Sequence, residues 1–303
     1  MNQESEMPSL LLVYWRLLKP RVVMLLQITA VCGVIIYNLM NETVTDKDDI
    51  IRILNQSLVV LIGGTLTGGG AGTINMWYER DIDNEMDRTD KRPIPMGHIS
   101  PEHALMFGIS CVLLGTLILW NYGSLEAGIV AVLSAIFYVL IYTVWLKPRT
   151  AQNIVIGGAA GSTPPLIGWA VAGGDITETI PWLMFVIIFL WTPPHFWALS
   201  LLKVEEYRKV GLPMLPVVKG EKYTRNSIVA YAAILLLSTL VLGYEGGLGM
   251  MYMVVAAILG GYFLYLCEIL RKAPTSENTM RVFRYSINYL ALIFSTIVID
   301  IYI

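Results

Sequence analysis

Nine stretches of about twenty residues each dominate this 303-residue chain, at roughly 21–40, 56–76, 102–121, 123–146, 152–172, 181–202, 227–244, 249–270 and 284–303. Each is nearly free of charge and long enough, at about 1.5 Å per residue, to cross a hydrocarbon core of about 30 Å as a helix. In lipid the backbone must satisfy its own hydrogen bonds, so uncharged stretches of this length leave helices as the only spanning structure for the chain. Several of the nine are apolar on every face, as lipid-embedded helices are. A mean hydropathy of +0.62 agrees. The fold expected is therefore an all-α integral membrane protein, a bundle of nine transmembrane helices forming a single membrane-embedded domain over 1–303. The joints carry turn signals, among them NYGS at 121–124, KPRT at 147–150, AGGD at 172–175 and YEGG at 244–247. Cys32, Cys111 and Cys267 fall inside apolar runs at unrelated spacings and read as small buried hydrophobes, with no disulfide or metal framework. The first residues, MNQESEMPSLLLVYWRLLKPR, form neither a secretory signal nor a transit peptide. They favour a prokaryotic cytoplasmic membrane.

Charge decides the orientation. With the N-terminus cytoplasmic, 19 of the 21 lysines and arginines fall in inner segments. The exceptions are Lys47 and Arg52, which lie in the first outer loop among Glu42, Asp46, Asp48 and Asp49. Nine spans then put the C-terminus outside, and an even number would scramble the pattern. Two inner loops, about 77–101 and 203–226, are long and polar, so the working face is expected on the cytoplasmic side. These loops follow helices 2 and 6, which hints at an internal repeat that sequence identity does not support.

The first of the loops opens with NMWYERDIDNEMDRTDKRP (75–93), in which ten of nineteen side chains are charged. If helix 2 continues past the membrane edge, Asn75, Glu79 and Asp83 lie at i, i+4 and i+8 on one side of it, with Asp87 drifting round the face. Such a row of hard oxygen ligands suits Mg²⁺, which binds carboxylates, water and substrate phosphates. Calcium would want the alternate-position ligands and glycine of an EF-hand, and zinc would want His or Cys. Arg88, Lys91 and Arg92 follow at once, cations of the kind that clamp phosphate oxygens. Metal ligands and phosphate clamps at the mouth of a membrane bundle indicate a diphosphate with a lipidic tail. The plainer reading is a solvated helix end carrying salt bridges; it accounts poorly for Asn75, an amide at the membrane boundary.

The pattern Asn75, Glu79, Asp83 followed by Arg88, Thr89, Arg92 and Pro93 resembles the first aspartate-rich motif of the UbiA-type intramembrane prenyltransferases. YTVWLKPRTAQNIVIGGAAGSTPPLIGWA (142–170) and WTPPHFWALSLLKVEEYRKVGLPMLPVVKG (191–220) are similar to the branch of that family that farnesylates haem. The resemblance runs from about residue 15 to 225. It implies a nine-helix bundle that binds an isoprenyl diphosphate through Mg²⁺ held by Asn75, Glu79 and Asp83, with farnesyl diphosphate and haem b as substrates. Many members carry a second aspartate-rich motif after helix 6, where this chain has Lys203, Glu205, Glu206, Tyr207, Arg208 and Lys209. A second complete Mg²⁺ cluster is therefore not expected, and Lys203, Arg208 and Lys209 become candidates for holding diphosphate directly. Lys147 and Arg149 join Arg88, Lys91 and Arg92 in the same role. Asp83, Arg88 and His195 are the catalytic candidates.

The reaction so implied ionises the allylic diphosphate, adds the farnesyl group to a haem vinyl and finishes with water, leaving a hydroxyethylfarnesyl group. A mostly apolar chamber holds both greasy substrates and limits premature trapping by water. Trp77, Tyr78, Trp191, Phe196 and Trp197 are candidates for stabilising positive charge, with packing as the commoner role of such rings. His195 is the one ionisable side chain well inside a span, after Pro193 and Pro194, which are expected to kink helix 6. An intramembrane histidine is a functional candidate by default. It is read as haem-binding, whether as iron ligand or as a contact or base at the acceptor, with a structural hydrogen bond as the alternative. His98 and His103 carry no catalytic expectation.

The glycines of GGTLTGGGAG (63–72) lack a following Gly-Lys-Ser/Thr, so they do not form a phosphate loop. Gly64, Gly68, Gly72, Gly157 and Gly161 read instead as close helix packing. Cytoplasmic-side charge explains the basic loops without any nucleic acid. Two other functions stay open. One is prenylation of an aromatic quinone precursor or a lipid glycerol phosphate, against which WTPPHFWALS argues. The other is a transporter, which an odd span count with one-sided long loops fits poorly. Membrane lipid surrounds the protein in every case, and the resemblance implies a haem a synthase or a terminal oxidase assembly pathway as downstream partner.

Overall fold

The computed structural model describes residues 8–41 and 44–303, and all regular structure in them is helical. Glu42 of the first outer loop and residues 1–7 lie outside the described residues. A short helix, α1 (Leu10–Leu17), precedes the first span, α2 (Pro20–Asn41). The second span, α3 (Lys47–Tyr78), runs 32 residues, well beyond the 56–76 expected. The cause is its N-cap: the Asp46 carboxylate accepts from the Asp48 and Asp49 amides, and Asp49 returns the bond to the cap. Lys47 and Arg52 thus ride on a helix rather than in a loop. A single turn, α4 (Arg80–Asp83), follows α3 after a break at Glu79.

The remaining spans match the expected register with shifted ends. α5 (Pro101–Tyr122) starts behind a Ser100 cap, and α6 (Leu125–Ile136) behind Ser124. α6 continues as a π-helix, Phe137–Leu146, which widens the last turns of that span. The fifth span is broken at Ser162–Thr163 into α7 (Asn153–Gly161) and α8 (Pro164–Val171), because Pro164 and Pro165 cannot continue the ladder but can start a new helix. α9 (Thr179–Leu201), by contrast, runs unbroken through Pro193 and Pro194. Two short helices, α10 (Val204–Lys209) and α11 (Leu215–Val218), shape the second long loop. α12 (Glu221–Glu245), α13 (Met250–Lys272) and α14 (Ser276–Tyr302) complete the chain. Among the described residues nine helices or helix pairs are long and apolar enough to cross a membrane.

Consecutive spans are neighbours, and α14 packs back on α2, so the bundle closes into a ring with the wholly buried α8 packed against α2, α6 and α9. Leu54, Leu58, Leu113, Leu117, Leu237 and Ile258 point outward, as a lipid-facing surface requires. The α3–α5 crossing depends on absent side chains. A Cβ on Gly115 would lie 2.5 Å from the Gly63 carbonyl oxygen, and one on Gly70 would lie 2.6 Å from that of Gly108. The glycines 64 and 72 instead face Gln27 and Lys19, Gly68 is looser, and Gly161 faces open space. On the other side of the ring α9, α12, α13 and α14 share a core of Trp197, Phe263, Tyr289 and Phe294.

Candidate active site

The break at Glu79 does not scatter the oxygen row. Glu79 N–H still donates to the Asn75 carbonyl (3.0 Å) and Asp83 N–H to that of Glu79 (2.8 Å), so the chain stays near-helical to Asp83. Asn75, Glu79 and Asp83 are consequently stacked and all buried, at 3%, 6% and 2% exposure. Asp87 is not the fourth rung: the chain turns after Asp83 and leaves Asp87, like Asp81 and Glu85, exposed. Thr89 fixes that turn by donating from Oγ1 to the Asp83 carbonyl (3.1 Å).

Each rung holds a cation brought from elsewhere. Lys19 Nζ donates to Asn75 Oδ1 (2.7 Å). Lys147 Nζ reaches Glu79 Oε1 (2.5 Å), and Arg92 Nη1 reaches Asp83 Oδ2 (2.6 Å). Asn75 also donates from Nδ2 to Thr143 Oγ1 (3.1 Å), and Thr143 donates to the Tyr138 carbonyl (2.9 Å). That i→i−5 reach belongs to the π-helix, which delivers both Thr143 and the following Lys147 to the row. Lys19 sits between α1 and α2 with φ at 51°, a left-handed conformation unusual for lysine, and its stem passes 3.3 Å from where a Gly72 Cβ would be.

Burial and these partners shift the charges. Burial, reinforced by Arg92 and Lys147, pulls the Lys19 ammonium down to about 7 despite Glu79 and Asp83. Burial alone would push Glu79 up, but Lys147, then Lys19 and Arg92, hold its carboxyl below the usual range. Asp83 is raised, because burial outweighs its Arg92 contact. Two carboxylates face three basic side chains, an excess of positive potential aimed at the same small region.

Of the expected phosphate clamps, Arg92 and Lys147 are therefore brought to the row. Arg88, Lys91 and Lys209 are exposed and make no ion pair among the described residues. Arg149 donates instead to the Val144 and Trp145 carbonyls at the end of the π-helix. Lys203 pairs with Glu206 (2.5 Å), and Arg208 with Glu205. Their short helix is not remote: the buried Tyr207 packs with Met86, Ile154, Leu212 and Met214, tying the second long loop to the first. Lys19 and Thr143 carry no expectation at this site from sequence, and Thr89 only a place in the motif, with no role as the fastener of the turn. Lys19 was visible only as one cation among the 19 on its side, and nothing local marks Thr143.

His195 sits apart from the row, in the wall between α9 and α14. It is 8% exposed, its ring stacked between Trp191 (4.4 Å between centroids) and Phe283 (4.7 Å). Its Nδ1 lies 2.7 Å from Ser286 Oγ. Trp191 donates from Nε1 to the Ser286 carbonyl (2.7 Å). Phe196 meets the histidine edge-on, whereas Trp197 packs on Tyr231 in the core.

Among the described residues no three His, Cys, Asp or Glu side chains form a metal cluster. The row fits a hard cation nonetheless: two carboxylates and an amide oxygen, buried and one helical turn apart, with no competing soft donor. A ring of membrane-spanning helices around a buried acid row, joined to the family match below, places the chain in one class, the intramembrane prenyltransferases. The chain belongs to the UbiA prenyltransferase family, whose pattern it matches over residues 49–288. It is 43% identical over 301 residues to the protoheme IX farnesyltransferase of Synechocystis sp., covering 99% of this chain and 92% of that one. With the protein of the same name from Rhizobium etli it shares 43% identity over 296 residues, covering 95% and 88%. Among solved structures, digeranylgeranylglyceryl phosphate synthase superposes with a TM-score of 0.75 at 20% identity, covering 96% of this chain and 98% of that one. A UbiA homologue from Archaeoglobus fulgidus bound to GPP and Mg²⁺ gives 0.64 at 17%, covering 94% and 99%. These two likenesses establish the fold.

Proposed function

We propose that this protein transfers the farnesyl group of farnesyl diphosphate to a vinyl group of haem b, with addition of water, to give haem o and diphosphate. The observation that carries the reading is identity of 43% over nearly the whole chain to proteins of that named activity, joined to a buried acid row that the same chain builds. Two further features support it: the PPHF segment inside α9 and the absence of an aspartate pair after that helix.

In this reading Asn75 Oδ1, Glu79 and Asp83 hold Mg²⁺, which when bound neutralises diphosphate charge and makes it a better leaving group. Lys19, Lys147 and Arg92, which hold these same oxygens in the structure, turn to the phosphate oxygens as the substrate enters. Arg88 and Lys91 stand outside them as exposed recruiting charges, and Lys203, Arg208 and Lys209 supply a second basic group from α10. The C–O bond of the allylic carbon breaks, and its electron pair leaves with diphosphate. A haem vinyl carbon supplies the pair for the new C–C bond, and water completes the other vinyl carbon and releases a proton. Burial of the row and the apolar wall keep water from the allylic carbon until the acceptor is in place. The face carrying the row is the cytoplasmic one on the charge pattern, in a prokaryotic cytoplasmic membrane, and haem o would pass to a haem a synthase or oxidase assembly.

The test is incubation of the purified protein in lipid with farnesyl diphosphate, haem b and Mg²⁺, followed by mass spectrometry for haem o. Prenylation of 4-hydroxybenzoate with none of haem would refute the reading.

A further inference from the structure

Ser286 has one hydroxyl proton and two close neighbours. Its Oγ lies 2.6 Å from the Phe283 carbonyl oxygen, one turn back on α14, and 2.7 Å from His195 Nδ1. A carbonyl oxygen only accepts, so the shorter contact is a hydrogen bond only if the serine proton points to Phe283. The proton between Ser286 and His195 must then belong to the histidine. Pointing the hydroxyl at Nδ1 instead would leave two oxygens 2.6 Å apart with no proton between them.

We infer that Ser286 is a positioning residue: it holds His195 as the Nδ1–H tautomer, so that Nε2 keeps its lone pair for the iron of the haem substrate. Neighbouring rings restrict the imidazole further. Trp191 and Phe283 cover its two faces, tilted 17° and 22° from it, so it cannot swing without disrupting both stacks. Trp191 also ties the Ser286 backbone to α9 through the carbonyl, so residues 191 and 195, one turn apart, grip both polar groups of the same serine. Nε2 makes no hydrogen bond to any described residue. A neutral imidazole whose other nitrogen donates to an oxygen is the arrangement that makes a directed metal ligand. The inference rests on the haem reading above for its ligand, and on the two oxygen contacts alone for its tautomer.

The chain has three histidines, so replacing His98 and His103 with Gln leaves His195 as the sole histidine signal in full-length protein labelled at the imidazole nitrogens. Nuclear magnetic resonance of that protein in nanodiscs should show Nδ1 protonated and Nε2 bare; the opposite tautomer would overturn the assignment. Ser286→Ala should mix the tautomers, weaken haem b binding about tenfold and change the ligand-field bands of bound haem. Farnesyl diphosphate binding should stay unaltered, which also shows that the variant is folded, and Ser286→Thr should restore the spectrum. If Ser286→Ala binds haem with the wild-type affinity and spectrum while His195→Ala does not, positioning by Ser286 is wrong. If His195→Ala also leaves both unchanged, the haem role of His195 has failed, whatever the tautomer.

Discussion

Lys147→Met isolates the logic of the acid row better than loss of an acid would. Lys147 Nζ and Glu79 Oε1 are 2.5 Å apart, with side chains 14% and 7% exposed. Removing one partner of a buried pair costs about 3–5 kcal/mol, because the other charge stays desolvated. Lys19 and Arg92 also act on Glu79, so the loss belongs at the low end, about 3 kcal/mol. For a chain of this size that lowers the apparent Tm by roughly 6 °C. The pH dependence should reverse as well. In the wild type Glu79 lies below its ordinary value of 4.5, so its ionised form adds stability above that pH, lost as pH falls through the lower folded value. Without Lys147 burial dominates, the folded value moves above the ordinary one, and neutral pH becomes the unfavourable side. Mg²⁺ should then stabilise the variant more than the wild type, since it replaces the missing cation without having to displace it. Thermal unfolding in nanodiscs across pH, with and without Mg²⁺, reads all of this. A variant as stable as the wild type, with an equal Mg²⁺ shift, would refute both the buried pairing and Glu79 as a ligand.

Asp83→Asn should keep the fold and lower haem o formation by about a hundredfold or more, and its Mg²⁺-induced Tm shift should vanish; full turnover would exclude Asp83 as a ligand. Lys19→Met should raise the KM for farnesyl diphosphate about tenfold with little change in the KM for haem b, as expected of a cation worth about 1.4 kcal/mol to the diphosphate alone. Gly115→Val should destabilise the bundle by about 3 kcal/mol, read as loss of monodisperse protein, because its Cβ would overlap the Gly63 carbonyl. Chelation of divalent cations should stop product formation, and Mg²⁺ added back should restore it.

The helices were legible because hydrocarbon imposes one period and one length on every span, so span type needed no knowledge of neighbours. Their ends were not. α3 begins at Lys47 because Asp46 caps it, and α14 begins at Ser276 because Thr275 caps it, both polar residues that a hydropathy count reads as loop. The oxygen row was legible for a similar reason, as Asn75, Glu79 and Asp83 share one helix and spacing alone aligns them. Its partners were not, because Lys19 and Lys147 lie 56 and 68 residues away from the groups they hold. The π-helix hid in a run, FYVLIYTVWL, whose composition also suits an ordinary helix. A local reading also extended the row to Asp87, where the Thr89 turn ends it. The prolines at which a kink is expected lie within one helix, α9, which continues through Pro193 and Pro194.

The distant partners matter because a row proposed to take a metal and a diphosphate must also be stable before either binds. Two carboxylates buried without counter-charge would protonate or destabilise the bundle, and the three half-buried cations would repel one another. Pairing Glu79 with Lys147 and Asp83 with Arg92, and giving Lys19 the Asn75 amide oxygen, lets the row fold at little electrostatic cost. In the proposed mechanism binding would exchange these partners, the acids going from cation to metal and the cations to phosphate, so that no charge would be stripped bare. That scheme needs cations anchored outside the row, free to shift by an ångström or two. Lys19 on the α1–α2 joint and Lys147 just beyond the π-helix are so placed, and Gly72 keeps the path of the Lys19 stem clear.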